Sequence, residues 1–168
     1  MIKNVIWTSI FILVAGILQS TLLSRLGMRF YAMPDLALVI LVYSAYVNGY
    51  MTGQLSGFFS GLVLDALSFA PLGLNMLIRT ITGALVGLFC GKFFLDIVLL
   101  PIVLCSAATL LKASLLFLLN ILFAGAVPSY SFSSPVLWVE ILFNAVCAPF
   151  LFGFLKMFDA LLKRKKEI

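Results

Sequence analysis

The sequence predicts an all-α, polytopic membrane protein with six transmembrane helices, and three observations carry that reading. Of 168 residues, 64% are apolar and only 10% charged, with a mean hydropathy of +1.22. A soluble chain is about half apolar and a quarter charged, and a core this small could not hide the excess. The apolar residues fall into six runs separated by Pro, Gly or charge, and the basic residues gather at the ends of those runs and in the tail Lys163, Arg164, Lys165, Lys166. Basic residues so placed are orientation signals, not a nucleic-acid surface. Lipid is therefore an expected partner, which the tail can touch where it is anionic.

The first run, 5–23, resembles a signal peptide but lacks a small-residue cleavage site and is followed by five more apolar runs, so it reads as a retained crossing. The second, 34–49, opens on Pro34 and Asp35, which suit the first turn and the positive end of a helix. Runs 51–69 and 72–90 are parted only by Ala70 and Pro71, and so form an antiparallel hairpin. After the linker 91–96 comes run 97–124, with Pro101 near its start. A turn-rich loop, 125–134, leads to the sixth run, 135–158. At about 20 residues per crossing, six crossings leave no room for a separate soluble domain, so 1–168 is one transmembrane domain.

Orientation follows from the basic residues. With both termini cytoplasmic, Lys3, Lys92, Lys156 and the four tail residues fall inside, against Arg25 and Arg29 outside. The location implied is a membrane crossed six times, with the basic tail on its cytoplasmic side. Trp7, Trp138, Tyr31, Tyr50 and Tyr130 lie at run ends, where aromatic residues anchor helices at the interface.

Several chemistries are excluded by residue type. The chain has no histidine, which removes a Ser-His-Asp triad, a Cys-His pair and a His-ligated zinc. Cys90, Cys105 and Cys147 are odd in number, lie in apolar runs and form no C-x-x-C pair, so they read as small packing residues. No catalytic, cofactor-binding or metal-ligating residue is expected.

The informative residues are the small and polar ones at membrane depth. Gly53, Gly57 and Gly61 recur every four residues, with Asp65 the next step; Arg79 is followed by Gly83, Gly87 and Gly91 at the same spacing. Helices in lipid associate largely through close backbone contact at small residues, so both ladders are expected to be packing seams, chiefly within the chain.

Asp65 and Arg79 lie about five and eight residues from the hairpin turn, a depth difference of about 5 Å that a guanidinium stem spans. An unpaired charge in hydrocarbon costs at least about 2.5–3.5 kcal/mol, so the two are expected to pair. Lys112, near the middle of its run, is expected to face the interior, with Glu140 its candidate partner and Asn120 and Asn144 nearby.

The stretch Gly57-Phe58-Phe59-Ser60-Gly61-Leu62-Val63-Leu64-Asp65, then Ser68 and Pro71-Leu72-Gly73, together with Pro34-Asp35-Leu36 upstream, resembles the rod shape-determining protein MreD family. The resemblance is densest between Pro34 and Gly91. The family often carries glycine where this chain has Phe69, and no family motif calls for Arg79 or Lys112, so the ion-pair expectations rest on physical grounds alone. The resemblance implies a fold similar to the substrate-binding components of energy-coupling-factor transporters. It also implies a non-enzymatic subunit of the cell-elongation machinery. The expected direct partner is the bitopic protein MreC, and through it the glycosyltransferase RodA, a class B penicillin-binding transpeptidase and MreB filaments.

A scaffold of this kind needs short loops and a helix face left for a partner; the second and third runs are the places expected to supply it. The alternative, a substrate-binding component for a vitamin-type molecule, needs convergent polar groups near the outer leaflet. An intramembrane aspartyl enzyme needs two carboxylates within reach of each other, and Asp65 has Glu140 as its one candidate on the same side.

Overall fold

The computed structural model describes residues 2–19, 21, 33–67, 71–92, 98–123 and 134–162. Each of the six expected runs overlaps a helix: α1 (Ile2–Leu18), which starts three residues earlier than expected, α2 (Leu36–Asn48), α3 (Tyr50–Leu67), α4 (Leu74–Gly87), α5 (Leu99–Leu122) and α6 (Pro135–Lys156), followed by a single turn, α7 (Asp159–Leu162). Among the described residues there are no strands. Arg25, Arg29, Tyr31, Ser68, Phe69, Ala70, Tyr130, most of the linker 91–96, the loop 125–133 and the tail from Lys163 lie outside the described residues.

Local chemistry sets the helix limits. Asp35 caps α2, its carboxylate accepting the Leu38 N–H at 3.0 Å. Gly49, at φ 89°, is the single residue between α2 and α3; a positive φ is cheap only without a Cβ. Pro135 occupies the first turn of α6, where its missing N–H removes no helical bond.

At the centre stands α2. Nine consecutive residues, Ala37 to Ala45, are buried, and α2 packs against α1, α3, α4, α5 and α6. A helix apolar on every side belongs in an interior. The second run therefore offers no face to a partner, and that expectation is corrected. The outer helices turn apolar stripes outward, such as Ile6, Ile10, Val14 and Ile17 on α1 and Trp138, Leu142, Val146 and Phe150 on α6. Such stripes are costly in water and natural against lipid.

By length and composition α5 and α6 can each cross a membrane, whereas α1, α2 and α4 are shorter apolar helices of 17, 13 and 14 residues. At 1.5 Å per residue α2 and α4 reach about 20 Å and α5 about 36 Å. One end of the bundle gathers the start of α1, the end of α2 and α7: Asn4 Nδ2 donates to Asn48 Oδ1 at 3.1 Å, and Asn48 Nδ2 to the Leu162 carbonyl at 2.7 Å. The opposite end is where α2, α4 and α6 begin.

Candidate functional site

Helices α3 and α4 form the hairpin, and their glycines make its seam. A Cβ on Gly53 would lie 2.3 Å from the Gly83 carbonyl oxygen, on Gly57 2.3 Å from that of Arg79, and on Gly61 2.5 Å from Met76 Cα; one on Gly87 would meet Tyr50 Cα at 2.4 Å. Backbones this close leave space for hydrogen only. The third run's glycines are thus occupied inside the chain, so they offer no partner a small-residue surface. Gly91 departs from the ladder: a Cβ there meets nothing within 4 Å, and its φ of +68° marks it as a turn residue. It is corrected from seam to turn.

Asp65 does not pair with Arg79. Its oxygens accept the backbone N–H groups of Gly73 (3.0 Å), Asn75 (2.9 Å) and Met76 (3.0 Å), and the Asn75 side-chain amide (3.0 Å). The carboxylate at the end of α3 is therefore the cap of α4, whose preceding residue, Gly73 at φ 97°, has no side chain to do it. Three unmet amides and a helix's positive end compete well against a single distant cation. Leu72, from the same motif, is exposed at the hairpin tip.

Arg79 reaches inward instead. Its Nη2 donates to Asp35 Oδ1 at 3.2 Å, and both side chains are over 90% buried. Lys112 Nζ lies 2.8 Å from Asp35 Oδ2 and 2.8 Å from Glu140 Oε1. Asn144, completely buried, joins them: its Oδ1 accepts the Asp35 backbone N–H at 2.7 Å, and its Nδ2 donates to Thr109 Oγ1 at 2.9 Å.

Four helix segments thus meet in one layer, two cations against two carboxylates. The large apolar cluster around α2 lies on one side of it and a small one, Ile78 and Leu116 with Leu74, Leu115 and Leu119, lies beyond. Sequence reasoning missed Asp35 as the hub, although a signal existed: Asp35 stands 13 residues before Asn48, the end of α2, and Lys112 stands 13 after Leu99, the start of α5, so an antiparallel pair in which α5 starts where α2 ends brings the two to one depth. Thr109 and Asn144, each within a turn of a charged residue, complete the layer.

The layer's chemistry is that of a fastener. Between Asp35 and Glu140 stands an ammonium, where an aspartyl mechanism needs a shared proton. Removing one member of a buried charge pair costs about 3–5 kcal/mol, so the four side chains fix the relative depth of α2, α4, α5 and α6. Among the described residues no cluster of His, Cys, Asp or Glu has the makings of a metal site.

Comparison with known proteins gave no match among curated proteins and none among solved structures. The family model of the rod shape-determining protein MreD matches residues 1–158. With that coverage, the glycine hairpin capped by Asp65 and the Pro34-Asp35-Leu36 opening of α2 are features of a chain that belongs to the MreD family, the rod shape-determining membrane proteins.

Proposed function

We propose that this chain is a non-enzymatic membrane subunit of the bacterial cell-elongation complex. It spans the inner membrane six times as one domain, with both termini cytoplasmic, and holds MreC by helix packing. Through MreC it reaches RodA, the class B transpeptidase and MreB. The observation that carries this reading is the family match over residues 1–158. Its physical support is the distribution of chemistry: the buried charges bind one another and the glycine seam binds α3 to α4, which leaves apolar stripes as the surface a partner meets. A single-span helix docks on such a stripe by close side-chain packing. The stripe on α1 and the face of α3 bearing Phe58, Phe59 and Leu62 are the surfaces proposed, in place of α2.

The test is photo-crosslinking in native membranes from Ile10, Phe58 and Leu142, with MreC as the expected adduct from one face. Absence of an MreC adduct from every face, with the protein folded and inserted, overturns the reading.

A further inference from the structure

Arg79 carries more donors than its partners use. A guanidinium has five N–H groups, yet only Nη2 meets an acceptor, while Nε and Nη1 are buried and unpartnered among the described residues. Asp35 has little left to offer: Oδ1 already accepts from Leu38 and Arg79, and Oδ2 from Lys112. Buried donors without acceptors are costly, and the remedy is an acceptor from outside these residues.

Two further observations describe that acceptor. The layer's formal charges cancel, two basic against two acidic, but it lies at the start of α2, a 13-residue helix whose dipole adds positive potential there. Spare guanidinium donors beside a positive helix end suit an oxyanion. A short outer helix also brings headgroups near. With α4 about 20 Å long against about 30 Å of hydrocarbon, and Leu77 and Leu85 exposed on it, the adjoining leaflet thins toward it. Arg79 is five residues beyond Leu74, the first residue of α4, or about 8 Å along the axis. Leu67 and Leu72, 63% and 81% exposed, offer acyl chains an apolar contact at the hairpin tip.

We infer that the spare N–H groups of Arg79 bind a phosphate oxygen of a phospholipid headgroup, drawn from the leaflet that covers the starts of α2 and α4. The inference rests on the membrane-spanning reading, which is checked separately by whether an alkaline carbonate wash leaves the chain in the membrane.

The test uses the full chain, delipidated in a phosphate-free maltoside detergent and unfolded by heat. Dioleoyl phosphatidylglycerol is expected to raise the midpoint on the order of 5 °C, and dioleoylglycerol, with the same chains and no phosphate, to leave it unmoved. Arg79→Lys keeps a cation opposite Asp35 but lacks Nε and the second amino group, and is expected to lose the response. Equal responses to the two lipids, or a full response in Arg79→Lys, overturn the inference. A response to sodium phosphate as large as that to the phospholipid assigns the site to free phosphate and overturns the lipid source. If Arg79→Lys does not fold, native mass spectrometry of the unaltered chain decides: a phospholipid adduct that survives excess dioleoylglycerol supports the inference, and its absence overturns it.

Discussion

Arg79 is bound to Asp35, 44 residues away, and not to Asp65 in its own hairpin. The pairing joins α4 to the central helix, so it secures the hairpin to the rest of the bundle, where an Asp65 pairing would only have tied the hairpin to itself.

A double-mutant cycle tests this directly. Arg79→Gln and Asp35→Asn are expected to couple by at least about 1 kcal/mol, as groups in one buried network do, whereas Arg79→Gln and Asp65→Asn add within about 0.5 kcal/mol. Thermal unfolding in detergent reads both cycles. Coupling in the Asp65 cycle as strong as in the Asp35 cycle contradicts the observed pairing.

Asp65 carries its own prediction. Its carboxylate satisfies three backbone amides and the Asn75 side chain, and replacing it by alanine strands donors at a helix start. A loss of about 3 kcal/mol is expected for Asp65→Ala, and a smaller one for Asp65→Asn, which keeps one acceptor oxygen. Amide exchange should accelerate first at Gly73, Asn75 and Met76. Uniform acceleration across the bundle would argue against a capping role.

How far the sequence revealed this arrangement varies with the kind of interaction. The helices were legible because apolar runs broken by Pro34, Pro71 and Pro135 set their limits: expected 34–49 against observed Leu36–Asn48, and expected 97–124 against observed Leu99–Leu122. The Gly53, Gly57 and Gly61 seam was legible because four-residue spacing of small residues has one main use in lipid. Asp65's partners were not, since they are backbone amides that every sequence possesses. The central place of α2 was hidden for another reason: the apolar run from Ala37 to Val42 suits lipid and protein surroundings alike.

The glycines can be ranked by what a methyl group would strike. Gly57→Ala and Gly83→Ala each force a carbon to within 2.3 Å and 2.2 Å of a backbone oxygen on the facing helix, and neither backbone can retreat without parting the hairpin. Losses of about 3 kcal/mol or more are expected, comparable to severe overpacking. Gly91→Ala meets open space and is expected to lose only about 1 kcal/mol for its positive φ. Gly153→Ala, in open space within α6, is expected to be neutral or to stabilise by about 0.5–1 kcal/mol. A set of four equal effects would show that the seam is looser than observed.

The last prediction concerns the end of the bundle where α7 lies. Tyr43, buried on α2, donates its hydroxyl to Asp159, and one turn later the Leu162 carbonyl accepts from Asn48, also on α2. Leu162 is fully buried, so this four-residue turn acts as a strap from α6 across the foot of the central helix. So short a helix has no stability of its own; its tertiary bonds hold it. Tyr43→Phe removes one donor and leaves the ring's packing against Phe152 intact, so the bundle should lose only about 1 kcal/mol. The strap should respond far more, with protease cleavage near residues 159–162 accelerating while the melting midpoint moves by a few degrees at most. If Tyr43→Phe and Asn48→Ala both leave cleavage at that site unchanged, the strap is held by Leu162 burial alone and the polar bonds are incidental.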